Sequence, residues 1–531
     1  MPLMGSLYIG ASGLQTSQNA LNTTAHNMSN IDTSNYTRQQ IQLGTSVYNT
    51  ISRNASAVSY QQIGLGVVYS ETKQVRDYFL DKTYRRESGR SAFYEASSEA
   101  VSEVETLLQE MDGEVFGETL TNLWTAIQDL AESPANTVNQ GVFVERCYEF
   151  INKAGAVYQG LSDYQDNLNV SILSDINKIN ELGQKIYDLN DQIIKIEAGG
   201  IEHANDLRDQ RNAALDQLSA LASISYSEDT EGNTLVKIEG NDFVKAGGVN
   251  RIAVSTDTNT GFYTPYWEQL ATTNPDGTIN IDRAKVFDLT QTISTDINTD
   301  IGGLKSKLLC RGDKRATYQD LQDETTYNAE ISQSVIMNIQ AEFDQLVHKV
   351  TTTINDVLKT AADAAGTYPD STYLRDSAGN PLQIFDTIAG TGEYTTGNII
   401  INEEIKQAPS LLGFKKADGS VDYETIESLK TKFSAEDHTL NPNVKTKTNF
   451  VNFYNNLVSQ VANTGSVLKS ICENQQATVD ATDAAREQIV GVSSDEELSN
   501  MIMYQNAYNA ASRYINVISE MLEHIISTLA V

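Results

Sequence analysis

Both ends of the chain carry apolar side chains at the spacing of a helix that packs along another helix. Near the N-terminus an apolar residue recurs every seven positions, and the set is Leu7, Leu14, Leu21 and Met28. Near the C-terminus two such series run side by side in the a and d registers of a heptad repeat; they comprise Met501, Tyr504, Tyr508, Ala511, Ile515, Ile518, Leu522, Ile525 and Leu529. We predict two terminal helices whose seams meet each other or meet neighbouring copies of the chain, which favours assembly over catalysis.

A helical pattern also fills most of the interior. Its longest seam lies in residues 161–196, where isoleucine recurs every seven positions, and Gly199-Gly200 then supplies a C-cap. A single seam of this kind is usually an intramolecular core, so we predict a long helical bundle. Helical spacing returns at 326–360 and again from Thr446 to the end, with a break before Ser494, whose following acidic residues indicate a helix start.

Strand and turn signals separate these helical stretches. Short alternating runs in residues 31–75 predict strands or extended arms, and Gly-Asn and Gly-Gly turns divide further runs in 224–300. Asn274-Pro275-Asp276-Gly277 is a strong turn signal. A second segment, 361–436, is rich in Gly and Thr and is expected to be β or mixed.

The predicted fold class is therefore α+β and multidomain, with terminal helices forming a coiled-coil layer, a long helical bundle and inserted β-rich domains. The length of 531 residues is itself consistent with three or four domains. The expected division is a terminal coiled-coil and arm domain (1–75 with 491–531), a helical bundle domain (76–225 with 326–360 and 437–490), an inserted β domain (226–325) and a second inserted β-rich or mixed domain (361–436).

Charge and composition narrow the class of partner. The formal net charge of -32 repels phosphate backbones and anionic lipid, so nucleic-acid binding is not expected. No stretch approaches the roughly 20 apolar residues of a transmembrane helix, so membrane insertion is not expected either. No basic residue precedes Arg38, so the N-terminus lacks the basic region of a signal peptide. The protein either stays in the cytoplasm or leaves by a route that reads no such signal.

The sequence contains none of the short motifs searched for that indicate catalysis or cofactor binding. It has no glycine-rich phosphate loop, no His-Glu-x-x-His and no nucleophile elbow. The five histidines and three cysteines are scattered singly, which gives neither a metal spacing nor a disulfide framework. We therefore predict no catalytic, cofactor-binding or metal-binding residues and no enzyme activity. The tripeptide Arg311-Gly312-Asp313 matches an adhesion motif, but chance occurrence explains it better.

Two stretches resemble the axial proteins of the bacterial flagellum. Residues 25–39 are similar to the rod, hook and hook-associated signature, an Asn-rich helix end followed by a turn and a tyrosine. His26 stands where that signature usually has a second Asn, and Asn35 stands where it usually has Gly. The second change is mild because Asn tolerates a left-handed backbone. The resemblance implies subunit-assembly roles for Asn27, Met28, Asn30 and Tyr36.

The second stretch resembles the C-terminal helix of the same proteins. Rod and hook proteins usually open this helix with Ser-Asn-Val, whereas Gly491-Val492-Ser493-Ser494-Asp495-Glu496-Glu497 resembles the hook-associated protein 1 family, the FlgK type. Residues 205–211 and 302–308 resemble that family as well. The likeness extends the assembly residues on this helix to Leu498 and Gln505, beside the seam from Met501 to Leu529.

This resemblance implies a structural subunit joining hook to filament, exported to the outside of the cell without a cleaved signal peptide. It implies self-association in the flagellar axis, contacts with hook protein and hook-associated protein 3, and a cytoplasmic export chaperone on the C-terminal helix. Two alternatives stay open. One is a rod or hook protein, although hook proteins are mainly β outside their terminal helices. The other is a secreted surface adhesin with variable β insertions.

Overall fold

The computed structural model describes residues 2–54, 59–109, 116–200, 202–275, 279–388, 392–416 and 418–529. Its helices are α1 (Pro2–Ser29), α2 (Tyr78–Gln109), α3 (Phe116–Glu132), α4 (Thr137–Glu197), α5 (Asn205–Leu221), α6 (Gly303–Arg311), α7 (Glu324–Thr326), α8 (Val335–Ala364), α9 (Glu403–Gln407), α10 (Tyr423–Ser434), α11 (Phe450–Val490) and α12 (Ser494–Leu529).

Its strands are short and lie between these helices. They are β1 (Gln39–Thr45), β2 (Asn49–Asn54), β3 (Ser59–Ile63), β4 (Val67–Gln74), β5 (Ile224–Glu228), β6 (Thr234–Ile238), β7 (Asn241–Lys245), β8 (Gly248–Val249), β9 (Ile252–Thr256), β10 (Tyr263–Trp267), β11 (Thr272–Thr273), β12 (Ile279–Asn280), β13 (Phe385–Thr387) and β14 (Ile399–Ile401). The predicted α+β, multidomain fold class is confirmed.

The chain forms two compact units. The first contains both chain ends and consists of Met1–Gly89, Lys178–Arg251 and Gln475–Val531; we call it the terminal unit. The second consists of Arg90–Asn177 and Ile252–Asn474, and we call it the central unit. These units cut across the four-part division expected from the sequence, which stays a prediction.

The terminal unit combines helices with antiparallel strand pairs. β1 pairs with β4, with an irregularity at Gln42/Leu43, and β2 pairs with β3. Strands β5, β6, β7 and β8 form one sheet in that order. Gly66 lies just before β4 and close to α1, with a φ of +93°. A Cβ at this position would lie only 3.2 Å from the Cα of Ile9. Only glycine fits that approach.

The central unit is built around one large apolar core. Helices α3, α8 and α10 and parts of α2, α4 and α11 contribute buried side chains to it. Within it the rings of Trp124 and Phe433 stack with centroids 5.4 Å apart. The Tyr454 hydroxyl donates to the Leu108 carbonyl at 2.6 Å, which satisfies a polar group that burial would otherwise make costly.

The sequence periodicity located most helices correctly, with specific errors. The isoleucines of the long seam are buried, but its last member, Ile196, is 46 % exposed. Residues 303–311 form helix α6 inside the segment 226–325 expected to be β. Helical structure does return near 326, as α7 followed by a π-helical turn at Tyr327–Ile331, but α8 itself begins only at Val335, where Ser334 caps it by accepting a hydrogen bond from the Met337 amide. The turn predicted at Asp276-Gly277 lies outside the described residues.

The Arg311-Gly312-Asp313 tripeptide has a structural role in the central unit. Arg311 is buried, and its guanidinium donates to Asn169 Oδ1 at 2.6 Å and to the Tyr263 carbonyl at 3.0 Å. Gly312 ends α6 at a φ of +74°. An adhesion receptor reads an exposed arginine, so this arrangement excludes the adhesion interpretation in the folded chain.

A buried glutamate makes the stability of the central unit depend on pH. Glu342 of α8 is 0 % exposed and accepts hydrogen bonds from the amides of Asn441 at 2.6 Å and Gln460 at 3.1 Å. Burial raises the pKa of Glu342 to about 7, and these amide hydrogen bonds oppose the rise. Between pH about 4.3 and about 7 the native state therefore keeps this proton, whereas an unfolded glutamate has lost it. The free energy of unfolding falls as the pH rises through that range.

We expect Glu342→Gln to raise the free energy of unfolding at pH about 8 by about 1–3 kcal/mol and to leave it nearly unchanged at pH about 4. The reason is that glutamine needs no proton to stay neutral in the core. Denaturant titration at both pH values measures the effect, with exposed Glu436→Gln as the control. An equal change at both pH values would contradict it.

Candidate assembly site at the chain termini

The two terminal helices pack against each other in an antiparallel sense. A Cβ built on Gly10 of α1 would lie 2.7 Å from Ile515 Cγ1 of α12, and one built on Gly13 would lie 3.7 Å from Ala511 Cβ. As residue numbers rise along α1 they fall along α12. The glycines weaken α1 as an isolated helix, yet Gly10 provides the space for the Ile515 side chain.

The predicted seams lie largely on the covered sides of this pair. Ile518 is buried, and the half-buried members are Leu7, Leu14, Leu21, Met28, Met501, Tyr504, Tyr508, Ala511, Ile515 and Leu522. Three predicted assembly residues are instead exposed: Leu498, Gln505 and Ile525. The side chain of Leu529 lies outside the described part of the chain.

Each terminal helix also presents a second heptad-spaced row that sequence reasoning missed. The outward seam of α12 consists of Met503, Ala507, Ala510, Val517 and Met521, all exposed. Tyr514 has the same spacing and is also exposed, but its ring reaches α1, where Cδ1 would lie 3.1 Å from a Cβ built on Gly10. The outward seam of α1 is equally exposed and consists of Met4, Tyr8, Ala11, Gln15, Gln18, Asn22 and Ala25. Both rows alternate spacings of three and four, so the signal was present in the sequence. Helix α1 also contains no Asp, Glu, Lys or Arg, which is unusual for a solvent-facing helix.

The Asn-rich signature braces the end of α1 within its own chain. Asn27 is 1 % exposed, and its Oδ1 accepts hydrogen bonds from the Tyr36 hydroxyl at 2.8 Å and the Gln39 amide at 3.0 Å. Its Nδ2 donates to the Gln39 carbonyl at 2.8 Å. Asn30 makes local contacts, including one from its Nδ2 to the His26 carbonyl at 3.0 Å. The left-handed backbone expected at Asn35 is confirmed by its φ of 62°.

Arg38 ties this signature to the start of α12. Its backbone amide donates to the Val490 carbonyl at 2.8 Å, and its guanidinium pairs with Glu497 at 2.9 Å and Glu496 at 2.8 Å. Glu497 is 2 % exposed, so this pair is largely shielded from water. Both carboxylates lie in the first turn of α12, where the helix dipole also favours negative charge.

Asp209 of α5 hydrogen-bonds to residues before β1 and at the end of β4. Its carboxylate accepts hydrogen bonds from the Thr37 amide at 3.1 Å and the Gln74 side chain at 2.7 Å, and Arg76 lies 3.4 Å away. Burial raises the pKa of Asp209 to about 6, with the Thr37 hydrogen bonds and Arg76 opposing it. The carboxylates of Asp206 and Asp209 also help to raise the pKa of Tyr36, after burial as the main cause.

The described ranges contain no candidate metal centre. Across those residues no group of three or more His, Cys, Asp or Glu side chains is placed to hold a metal ion. No helix in the described part of the chain has the length and apolar character needed to cross a membrane. The contacts described above are those of helix packing and of polar side chains that hydrogen-bond across the site.

A match in the interior of the chain shows which protein family it belongs to. Residues 101–372, just over half of its length, match the family described as "Flagellar hook-associated protein FlgK helical domain". The chain belongs to the FlgK family. The ends of this FlgK-family chain match two further families: residues 7–37 match "Flagella basal body rod protein" and residues 488–528 match "Flagellar basal body rod FlgEFG protein C-terminal".

Full-length relatives carry the same family name. The chain is 24% identical over 526 residues to Flagellar hook-associated protein 1 of Bacillus subtilis (strain 168), covering 98% of this chain and 97% of that protein. It is 23% identical over 554 residues to the protein of the same name from Salmonella typhimurium (strain LT2), covering 97% and 98%. This FlgK-family chain therefore aligns with its relatives nearly end to end.

A solved structure shares the fold. The flagellar hook junction protein FlgK from Burkholderia pseudomallei superposes with a TM-score of 0.55 at 12% sequence identity, covering 77% of this chain and 100% of that one. At this identity the likeness supports the FlgK-type fold alone.

Proposed function

We propose that this protein is a structural subunit that joins the hook of the bacterial flagellum to its filament. The observation that carries the proposal is the pair of outward seams on α1 and α12, which are rows of apolar or uncharged polar residues exposed on two helices that pack against each other. Exposed rows at coiled-coil spacing are typical of surfaces that a further helix covers. Membership of the FlgK family supports a place for them at the hook–filament junction.

Assembly through these helices proceeds by coupled folding and association. The segment of α1 contains Gly10 and Gly13 and an uncharged outer face, so it is a marginal helix in isolation. Neighbouring copies that cover the outward seams bury apolar surface, which offsets the entropy lost on ordering. A monomer that is marginally ordered at its ends does not polymerise prematurely.

The expected partners follow from the same surfaces. Copies of this chain pack together in the flagellar axis, with hook protein on one side and hook-associated protein 3 on the other. Before export a cytoplasmic chaperone covers the C-terminal helix, because the outward seam of α12 is an aggregation hazard when exposed. The subunit then reaches the cell exterior and acts there without enzymatic activity.

A strain that lacks the gene tests the function. We expect electron microscopy to show bare hooks and immunoblotting to detect filament subunits shed into the culture fluid. Expression of the gene in trans serves as the control and restores filaments. Missing hooks would move the protein to the rod or hook, and normal filaments would overturn a junction role and redirect attention to a surface adhesin.

A further inference from the structure

The terminal segments hold most of the methionines of the chain. Six of the eight lie within residues 1–29 and 494–529, and they are Met1, Met4, Met28, Met501, Met503 and Met521. Leucine would bury a similar amount of apolar surface at these positions. Methionine adds an unbranched, flexible side chain and a polarizable thioether sulfur, which oxidants attack and which leucine lacks. The chemistry of the thioether is therefore concentrated at the two ends of the chain.

Exposure divides these methionines into two groups. Among the methionines that the structure describes, those of the outward seams are exposed: Met4 by 60 %, Met503 by 54 % and Met521 by 49 %. Met501, two residues before Met503, is half-buried on the covered side of α12, and Met337 of the central unit is 2 % exposed. An oxidant in solution therefore reaches the sulfurs of the outward seams first.

The exposed sulfurs lie toward both ends of the helix pair. Gly10 faces Ile515 across the contact between α1 and α12, and the two helices run in opposite directions. Met4 precedes Gly10 by as many residues as Met521 follows Ile515, so these two methionines lie at the same level of the pair. Met503 lies toward the other end of α12. An oxidant therefore meets a thioether near either end of the outward seams.

Oxidation of these sulfurs opposes burial of the seams. A peroxide transfers one oxygen atom to the thioether sulfur: an S–O bond forms, the O–O bond breaks, and the departing hydroxide takes up the remaining proton and leaves as water. The sulfur loses an electron pair, and the apolar side chain becomes a polar, chiral sulfoxide. The seam neighbours Ala507 and Val517 have no side-chain hydrogen-bond donor. A covered sulfoxide therefore lacks a partner beside it, which makes its burial costly.

We propose that Met4, Met503 and Met521 form an oxidation-sensitive site: hydrogen peroxide converts them to sulfoxides in the free subunit, and the oxidised subunit no longer packs with other copies. The site rests on the proposed function, as a regulation of the same outward seams. Packing covers these seams, so a subunit already in place is protected, whereas one that has not yet been incorporated is open to attack. Reduction of the sulfoxides restores the ability to pack.

Peptide mass spectrometry on the purified full-length chain tests the reactivity of the site. After brief treatment with dilute hydrogen peroxide, we expect Met4, Met503 and Met521 to gain one oxygen atom. A rate that follows exposure makes this gain at least about tenfold faster than at Met337. Methionine sulfoxide reductases for both epimers are expected to remove the added oxygen. Equal rates at Met337 and at the outward seams would overturn the site.

Filament formation under peroxide tests the consequence. The deletion strain receives either the wild-type gene or a gene with Met4→Leu, Met503→Leu and Met521→Leu, which keeps apolar side chains of similar volume without the sulfurs. Expression is induced in the presence of hydrogen peroxide, so every junction scored by electron microscopy is new. We expect the wild-type strain to lose filaments and the leucine strain to keep them. Equal losses in the two strains would overturn the site.

Two further variants complete the test. Met28→Leu with Met501→Leu removes the half-buried sulfurs of the covered seams and is the matched control, which is expected to stay as sensitive to peroxide as the wild type. Met503→Gln with Met521→Gln puts polar side chains on the outward seam of α12 and is expected to lose filaments without peroxide. Normal filaments with the glutamine pair, or a control pair that resists peroxide, would overturn the site.

Failure of this site and failure of the proposed function give different results. Bare hooks in the deletion strain together with equal peroxide losses in the wild-type and leucine strains reject the oxidation site and leave the junction role intact. Normal filaments in the deletion strain reject the junction role and, with it, the regulation of assembly. The map of sulfoxides is measured on the purified chain and decides the reactivity of the three methionines in either case.

Discussion

Gly10→Leu is expected to abolish incorporation of the protein into the flagellum. A single Cβ at this position would lie 2.7 Å from Ile515 Cγ1 and 3.1 Å from Tyr514 Cδ1, so a leucine forces α1 and α12 apart. Overpacking of this kind costs about 1–3 kcal/mol, whereas replacing glycine within a helix gains about 1 kcal/mol in helix propensity. The gain in helix propensity offsets only part of a steric cost in the upper half of that range, and the remaining strain falls on the contact that holds α1 against α12.

Gly5→Leu is the matched control for this variant. It makes the same substitution in the same helix, but a Cβ at Gly5 meets no heavy atom within 4 Å. Complementation of the deletion strain, scored by the fraction of hooks that carry filaments, measures both. We expect Gly5→Leu to restore filaments, Gly10→Leu to fail, and Ile515→Ala to rescue Gly10→Leu partly. Equal filament counts for the two glycine variants would show that the close helix contact is not needed.

The second large effect is expected from charges placed on the outward seam of α12. Ala510→Asp with Val517→Asp puts two carboxylates on a row that is exposed in the monomer and covered in the proposed assembly. Burying an unpaired charge costs several kcal/mol, and every copy in the assembly repeats the cost. We expect the monomer to keep its helix content and the assembly to be lost.

The control moves the same two charges by one residue. Asn509→Asp with Asn516→Asp keeps the spacing of seven residues, the added charge and the exposure, but neither residue belongs to a seam. Circular dichroism checks the monomer, and filament imaging in the complemented deletion strain checks assembly. Loss of assembly in the control pair, or normal filaments with the seam pair, would refute an assembly role for this row.

Sequence periodicity was a good guide wherever one face of a helix is covered. The heptad rows predicted α1 and α12, and the isoleucine seam predicted the long helix α4, because a buried stripe imposes a spacing of three and four on the sequence. The same rule failed to separate the two rows of α12. Both rows share the heptad spacing, so only burial shows that Ile515 faces α1 while Val517 faces outward.

The hydrogen-bond partners of the polar residues were harder to predict from the sequence than the helices. Asn27 and Tyr36 were expected to act between subunits, which stays a prediction, and the sequence did not show that they hydrogen-bond to each other within one chain. Nothing in the sequence reveals that Asp209, far along the chain, accepts a hydrogen bond from the Thr37 amide. Helix α6 was missed because nine residues give too little periodicity to distinguish a buried helix from a strand.

By itself, the sequence determined the terminal helices, the helical interior, the family resemblance and the lack of catalytic motifs, because these depend on local spacing and residue type. Tertiary structure alone decided which helical row is covered, how Arg38 joins the signature to α12, and that Arg311 is buried rather than available to a receptor. The physical reason is that burial and hydrogen-bond pairing depend on residues distant in the chain, whereas periodicity records only that some face of a helix is covered.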